Sequence, residues 1–407
     1  MKCKLHTLLC LSLLLVFSAC GQDDDPIPPL EGNRTVLVYI VADNNGLEEN
    51  YNDKNFASRD IDEMMQGMKS VDTSVFNLLV YLDDNGNTPV LFRITKDKKG
   101  NVSKEIIREY EEQVSTDVSV MDKVMKLAFS NYPADSYGLV YWSHGEGWIP
   151  YPLSSKPSTR WIGQDRGEGD DRMNISDLQT VLDAAPHFDF IMFDACFMMS
   201  VEVAYELRSY TDYYIGSPTE NPGPGAPYDK IVPLMFTSNA AVNMASGYFD
   251  YYKSKYNGGV DITNSNWTGG TSITVLKTAE LEKLAEATNR ALSDVVEVDN
   301  VQLRENVFNY DKRSSSSSSF VGYYDMVAMM QELTDGDSFT TWKQAFDSAV
   351  AYWNTTSKNY SMYADMFSME GTNGVTHFIP LSSKLTAANA YRSTAWYKAA
   401  GLSNLGW

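Results

Sequence analysis

Short apolar runs alternate with longer amphipathic stretches over residues 35–216, and this alternation restricts the possible folds more than any other feature of the chain. Five runs have the composition of buried strands, at 35–41, 76–82, 137–143, 188–193 and 213–216. Because parallel strands need long crossover segments, the pattern predicts an α/β fold: a mostly parallel sheet flanked by helices on both faces. Ligands of such sheets bind beyond the carboxyl ends of the strands.

Several further elements are predicted around these runs. Residues 90–94 are expected to form a hairpin with the strand at 76–82, and Ser176 with Gln179 has the spacing of a capping box that opens a helix before the strand at 188–193. Helical patterns occur at 56–68, 118–129, 198–208, 241–256, 279–295, 321–333 and 342–353, and strand patterns at 272–276 and 375–380. We expect a core of residues 34–240 and a C-terminal α+β part of residues 241–407 packed on it.

The first residues have the pattern of a targeting segment. Two lysines precede a ten-residue apolar stretch at 8–17, which is too short to span a bilayer. The run Phe17-Ser18-Ala19-Cys20 resembles a bacterial lipobox, in which the cysteine is lipidated and becomes the first residue of the mature chain. We therefore expect a signal peptide at 1–19, a lipid on Cys20 and a tether at 20–33. This predicts an outer membrane lipoprotein, at the cell surface or facing the periplasm, whose only contact with the membrane is its lipid.

Charge and cysteine content narrow the choice of partners. Asp and Glu number 53 against 33 Lys and Arg, so a surface that follows nucleic-acid phosphates is not expected, and peptide-like or cationic partners suit the balance better. Of the four cysteines, Cys3 and Cys10 leave with the signal peptide and Cys20 carries lipid. Cys196 is then the single free thiol, which excludes a disulfide within the domain and a zinc site built from cysteines.

Two side chains with catalytic potential follow neighbouring strands. His144 comes directly after the run at 137–143, and Cys196 follows the run at 188–193. A thiol becomes a nucleophile as the thiolate or beside a base, and a neutral imidazole is such a base. Gly145 lets its backbone N–H face a substrate carbonyl, so that with the N–H of Cys196 it forms an oxyanion hole. Alone, each side chain has a structural alternative, a small buried hydrophobe or a packed histidine; the pair at two strand ends favours catalysis.

The motifs around these residues resemble those of the clostripain-type cysteine peptidases, which belong to the clan of caspases, gingipains and legumain. The similar segments are TVLVYIVADNN (35–45), YPAD (132–135), SHGEGW (143–148), FDAC (193–196), VEVA (201–204) and PGPG (222–225), with weaker echoes at 324–326 and 373–380. The resemblance implies a caspase-like fold and hydrolysis of peptide or protein substrates. It assigns His144 as the catalytic histidine and Cys196 as the nucleophile that forms a thioester.

The resemblance also suggests specificity and processing. In clostripain-like enzymes, the aspartate at the position of Asp194 is associated with a basic P1 side chain; the structural alternative is a carboxylate that holds the loop at the strand end. Relatives are often cut between the His and Cys motifs, so self-cleavage is expected after one of four basic residues in a Pro/Gly/Ser-rich stretch. These residues are Lys156, Arg160, Arg166 and Arg172.

Two acidic segments are candidates for calcium binding. The acidic run at 165–171 and Asp335-Gly-Asp337 offer oxygen ligands for calcium, which supports some relatives, but their spacing matches no EF-hand and favours solvated loops. No metal site is therefore predicted, and calcium is the one cofactor left open. We expect a monomer. The rival to the peptidase is an inactive pseudo-peptidase that serves as a binding lipoprotein, and a third option is an amidase acting on cell-wall peptides.

Overall fold

The computed structural model of the chain describes residues 32–44, 55–85, 87–148, 161–167, 169–296, 298–317, 320, 322–381 and 385–407. Some predictions fall outside these residues. They are the signal peptide at 1–19, nearly all of the tether at 20–33, lipidation of Cys20, and cleavage after Lys156 or Arg160.

The described residues contain fifteen strands. They are β1 (Arg34–Ala42), β2 (Phe76–Asp84), β3 (Val90–Lys96), β4 (Val102–Glu109), β5 (Ser136–Trp142), β6 (Ile162–Asp165), β7 (Asp171–Met173), β8 (Phe188–Asp194), β9 (Thr211–Gly216), β10 (Ser272–Lys277), β11 (Tyr324–Asp325), β12 (Val350–Thr355), β13 (Lys358–Ser361), β14 (Asp365–Ser368) and β15 (Thr376–His377). Nine of these form one sheet, in the order β12-β10-β9-β8-β5-β1-β2-β3-β4, and the others form the pairs β6–β7, β11–β15 and β13–β14.

The centre of the large sheet is parallel. Strands β2, β1, β5, β8 and β9 pair in parallel, whereas β3 and β4 at one edge and β10 and β12 at the other are antiparallel. The prediction of a mostly parallel sheet is therefore confirmed, as is the hairpin formed by the run at 90–94. Strands β10 and β12 belong to the C-terminal part, so the sheet continues across the predicted boundary at residue 240.

Twelve helices are seen in the same residues. They are α1 (Phe56–Gly67), α2 (Val118–Asn131), α3 (Ile175–Leu182), α4 (Val201–Glu206), α5 (Tyr228–Leu234), α6 (Ala240–Lys255), α7 (Leu281–Ala291), α8 (Asn300–Asn306), α9 (Met326–Leu333), α10 (Gly336–Ala349), α11 (Leu385–Tyr391) and α12 (Ala395–Ala399). None of the described helices is both long and apolar enough to cross a membrane.

The helices cover both faces of the sheet because β1 and its neighbours are apolar on both sides. Alternate side chains of a strand point to opposite faces. Val36, Val38 and Ile40 pack with α1, α5 and α6, whereas Leu37 and Tyr39 pack on the other face with helices that include α2, α3, α4 and α7. The core is thus two apolar layers separated by the sheet, as both-face burial of a parallel sheet requires.

Several predicted element ends were wrong. The helix before β8 begins at Ile175, and Asn174 and Asp177 form its capping box, so Ser176 and Gln179 do not. The helix predicted at 342–353 ends at Ala349, because the chain then pairs with β10 as β12. Three other predicted elements are shorter in the structure: the helix at 198–208 is reduced to α4, the helix at 321–333 to α9, and the strand at 375–380 to β15.

Candidate active site

The register of two neighbouring strands brings His144 and Cys196 to one edge of the sheet. Strands β5 and β8 pair in parallel with Trp142 opposite Asp194. Each candidate lies two residues beyond one of these partners, so both are at the same level past the carboxyl ends. Both side chains line a single cavity of about 810 Å³. This is the position expected for the ligand site of such a sheet.

A tight turn presents the thiol of Cys196 to the cavity. Phe197, directly after it, has a φ of 57°, a left-handed conformation that is uncommon for a residue with a side chain. The N–H of Phe197 donates to the carbonyl oxygen of Thr219 at 3.0 Å, and the sulfur accepts the N–H of Asn221 at 3.3 Å. Cys196 is half-buried and not in a disulfide. The turn is thus fastened on both sides of the thiol by the segment that follows β9.

The surroundings keep this thiol protonated in the free protein. Burial, followed by the carboxylate of Glu220, raises the pKa of Cys196 to about 12, although the N–H of Asn221 acts in the opposite direction. Because the thiolate is the reactive form, the sulfur can attack at neutral pH only if a base removes its proton. Among the described residues that line the cavity, His144 has the imidazole suited to that task.

The segment carrying His144 is held from two sides. Ser143 donates through its hydroxyl to the carbonyl oxygen of Val41 at 2.8 Å, and the carbonyl oxygen of His144 accepts the N–H of Gly163 at 3.0 Å. The imidazole lies edge-on to the indole of Trp161, with ring centroids 6.5 Å apart. These contacts fix the ring at the cavity wall, which positions a base more accurately than a free loop would.

The other described histidines lie in different surroundings. His187 is exposed, with Nε2 2.9 Å from a carboxylate oxygen of Asp212. His377 is buried and close to the carbonyl oxygen of Phe378 at 2.7 Å and the indole nitrogen of Trp396 at 3.0 Å. Burial lowers the pKa of His377 to about 3. It is therefore a neutral packed histidine, and neither ring lines the cavity of Cys196.

The backbone N–H and C=O groups of Gly145 point away from the segment of Ile162 that lies beside it. The N–H of Glu146 donates to Trp161 and the N–H of Gly163 donates to His144, which makes Gly145 and Ile162 a non-hydrogen-bonded antiparallel pair. In such a pair both backbone groups point away from the partner segment. A Cβ at Gly145 would lie 2.8 Å from Cβ of Ala195 and 2.9 Å from the carbonyl oxygen of Cys196. Gly145 therefore packs directly on the turn of the thiol.

The carboxylate of Asp194 is buried and already has several donors. It accepts hydrogen bonds from the Asn221 amide at 3.1 Å, and from the Ala226 N–H and the Tyr228 hydroxyl at 3.0 Å each. Burial raises its pKa, and these donors act in the opposite direction. Asp194 thus holds the loop at 221–228, as its structural alternative proposed, while it also lines the cavity.

Residues from distant parts of the chain complete the cavity, and the sequence analysis did not identify them. Glu220 and Asn221 follow β9, Arg313 comes from the segment before β11, and the exposed Met362 and Tyr363 come from the turn between β13 and β14. The motif PGPG drew attention to 222–225, one residue beyond Asn221. No pattern in the sequence distinguishes Arg313 or the residues at 362–363 from other surface positions.

The described cleavage and metal candidates are not among the residues that line the cavity. Arg166 donates its backbone N–H to the carbonyl oxygen of Asp43 at 2.9 Å. Arg172 lies in β7, with Nη2 2.9 Å from Asp170 and its guanidinium 4.3 Å from the ring centre of Trp161. Within the described part of the chain, no group of three or more His, Cys, Asp or Glu side chains is arranged to hold a metal ion.

Comparison with known sequences supports the motif resemblance. A family profile described as the clostripain family matches residues 38–405. Clostripain from Hathewaya histolytica is 28% identical over 228 residues, a match that covers 48% of this chain and 41% of clostripain. The matched region therefore spans less than half of that relative's length.

Two solved structures are similar over almost the whole chain. One is a secreted C11 cysteine protease from Bacteroides thetaiotaomicron in complex with an irreversible peptide inhibitor, with a TM-score of 0.82, 46% identity, and coverage of 91% of this chain and 99% of that one. The other is an inactive zymogen C11 protease from Parabacteroides distasonis, with a TM-score of 0.74, 27% identity, and coverage of 92% and 99%.

Proposed function

The chain belongs to the clostripain family of cysteine peptidases, and from this premise we propose that it hydrolyses peptide bonds through Cys196 and His144. The single observation that carries the proposal is that both side chains line one cavity, at equivalent positions beyond the paired strands β5 and β8. A thiol and an imidazole at such an edge have the chemistry of a nucleophile and its base. The substrates are peptides or proteins, because the reacting group is an amide.

In the proposed reaction, His144 accepts the thiol proton as the sulfur of Cys196 attacks the scissile carbonyl carbon. The new C–S bond places negative charge on the carbonyl oxygen, which the N–H groups of Gly145 and Cys196 stabilise. The C–N bond then breaks, and the imidazolium returns its proton to the leaving amine. Water, deprotonated by the same imidazole, hydrolyses the resulting thioester and restores the thiol.

We propose a preference for Arg or Lys at P1, with Asp194 as the residue that recognises the cation. Asp194 lines the cavity, and its negative charge is felt by the neighbouring buried Asp60, because burial and then the carboxylate of Asp194 raise the pKa of Asp60. A carboxylate in the wall of a partly desolvated cavity attracts a guanidinium or ammonium group. In Asp194→Asn we expect kcat/KM for Arg or Lys substrates to fall by about 10- to 100-fold relative to Leu substrates.

Self-processing is proposed to occur after Lys156 or Arg160. Of the two candidates that the structure describes, Arg172 is paired in β7 and the backbone of Arg166 is hydrogen-bonded to Asp43. A backbone engaged in this way is a poor site for proteolysis, which argues against these two. Incubation of the active enzyme is expected to give two fragments whose new ends identify the site, and Cys196→Ala is expected to stay intact. A wild-type chain that remains a single band contradicts this proposal.

We further propose a monomeric lipoprotein of the outer membrane, attached through lipid on Cys20, with a peptidase core at 34–240 and a C-terminal part at 241–407. The lipobox resemblance supports the anchor, and the contribution of Arg313 and Met362 to the cavity supports a C-terminal part that completes the site. Mass spectrometry of the mature N-terminus tests the lipid. Release of Cys20→Ser from the membrane fraction is the expected result.

The decisive experiment is a panel of fluorogenic peptides with Arg, Lys, Asp, Asn or Leu at P1. Wild type is expected to cleave the Arg and Lys members, whereas Cys196→Ala and His144→Ala lose activity by about 1,000-fold or more. His187→Ala is the matched control, because that ring is exposed and outside the cavity. Addition of calcium and of EDTA tests the cofactor left open. If no member is cleaved even after calcium and trypsin treatment, the binding-lipoprotein alternative gains support.

A further inference from the structure

An arginine from the C-terminal part lies in the wall of the active-site cavity with one nitrogen unpaired. Arg313 is only 5% exposed and lines the same cavity as Cys196 and His144. Its Nε donates to Asp311 at 2.7 Å, and its Nη1 donates to Glu146 at 3.0 Å. Nη2 is buried and has no hydrogen-bond partner among the described residues. A buried charged donor without an acceptor is costly, so its presence beside a substrate cavity requires an explanation.

Nε and Nη1 are already paired with Asp311 and Glu146, so Nη2 is the nitrogen that remains for a further acceptor. Asp311 accepts the backbone N–H of Arg313 at 3.2 Å as well as its Nε, and it also accepts the N–H of Gly322 at 3.3 Å. The guanidinium carbon lies 5.1 Å from the ring centre of Phe197, the residue after the nucleophile. Arg313 is therefore anchored next to the turn of the thiol, and an acceptor reaches Nη2 only when the cavity wall around it shifts.

The surrounding charges decide what kind of acceptor fits. Asp311 and Glu146 pair directly with the guanidinium, and Glu220 is close enough for Arg313 to lower the pKa of its carboxyl, although burial raises that pKa overall. Three acids thus surround one cation. A further carboxylate from a substrate would meet net negative charge, whereas a neutral carbonyl oxygen would satisfy Nη2 without repulsion.

We propose that Nη2 of Arg313 donates a hydrogen bond to a main-chain carbonyl oxygen of the bound peptide. The inference rests on the proposed peptidase function and adds a substrate-positioning residue outside the predicted core. Every peptide residue has such a carbonyl, so this contact aligns the chain without reading its sequence. The three acids around it make an acidic side chain at the same subsite unfavourable.

A thioamide scan tests the contact. Internally quenched peptides with Arg at P1 carry a single C=O to C=S replacement at each position from P4 to P3′, except at the scissile bond. Sulfur is a weaker acceptor, so wild type is expected to lose about fivefold or more in kcat/KM at one position. In Arg313→Met we expect kcat/KM for the all-oxygen peptide to fall by about 10- to 100-fold. At the sensitive position, the additional thioamide effect in that variant should be less than about twofold.

Two further variants separate recognition from structural support. Glu146→Gln removes the ion pair that joins Arg313 to the segment of His144 but leaves Nη2 in place, so it should keep the thioamide sensitivity of wild type whatever its overall rate. Arg313→Lys keeps a positive charge between Asp311 and Glu146 but lacks the several N–H donors of the guanidinium. If Arg313→Met does not fold, Arg313→Lys takes its place in the comparison. We expect it to lose the thioamide sensitivity as well.

The outcomes are distinct. Equal thioamide effects in wild type and both Arg313 variants, with a uniform fall for every peptide, would overturn the inference and assign Arg313 a structural role. A stronger cleavage of peptides with Asp than with Asn at the sensitive position would overturn the charge argument. If wild type cleaves none of the all-oxygen peptides, the proposed function fails and takes this inference with it.

Discussion

Replacement of Gly145 by alanine tests whether the proposed reaction depends on the close packing between the segments that carry His144 and Cys196. The added Cβ would lie 2.9 Å from the carbonyl oxygen of Cys196, a backbone atom that no side-chain rotation can move away. Carbon contacts are ordinarily about 3.5 Å, so the segments must separate by about 0.6 Å. Because a displacement of about 1 Å costs about 100-fold in rate, we expect kcat to fall by about 10- to 100-fold. Crowding should also lower the free energy of unfolding by about 1–3 kcal/mol.

The assay compares Gly145→Ala with Gly216→Ala for kcat on an Arg peptide and for unfolding in urea. A Cβ at Gly216 would be 3.4 Å from its nearest neighbour, the carbonyl carbon of Met198, which is an ordinary contact in the same sheet. The control should keep its rate and most of its stability. A Gly145→Ala enzyme that is destabilised yet retains kcat within about twofold of wild type would refute the argument that this packing positions the reaction.

Two other perturbations follow from the structure. Glu220→Gln removes a carboxylate that raises the pKa of the Cys196 thiol, and the thiol pKa should therefore fall. The pH profile of iodoacetamide labelling should move about one unit lower, and an unchanged profile contradicts the role given to Glu220. Arg34→Met removes a buried guanidinium that pairs with the partly exposed Asp189 and donates a 2.6 Å hydrogen bond to the carbonyl oxygen of Met235, at the amino ends of the parallel strands. It should cost about 2 kcal/mol of unfolding free energy, measured in urea, without changing kcat, and a loss below about 0.5 kcal/mol speaks against it.

The central strands were predictable because burial on both faces leaves a continuous apolar run. β1 is buried over its whole length, and its neighbour β5 is nearly so. The end of each apolar run marks the end of a strand, and these ends predict that His144 and Cys196 lie at one edge of the sheet. The resemblance to the clostripain family, read from motifs at those same ends, is confirmed by the family match over residues 38–405.

The edge strands of the sheet and the wall of the cavity could not be predicted from the sequence, and the reasons are physical. β4 is an edge strand with mostly exposed, charged residues, so it has no apolar run and was missed. Arg313 acts through contacts with Glu146, 167 residues earlier in the chain, and with the ring of Phe197. Such contacts join residues that are far apart in the chain, and local periodicity carries no information about them.

The raised pKa of the Cys196 thiol explains why the packing between the His144 and Cys196 segments would matter for the proposed reaction. In the proposed mechanism, a sulfur that is protonated at neutral pH gains nucleophilicity only while His144 removes its proton, so the imidazole and the sulfur need a fixed separation through the attack. The contact of Gly145 with Ala195 and Cys196 joins the two segments directly. Arg313 also links the two segments, because it pairs with Glu146 of the His144 segment and lies over the ring of Phe197, which follows Cys196. Because that second link comes from the C-terminal part, the geometry of the pair depends on both parts of the chain.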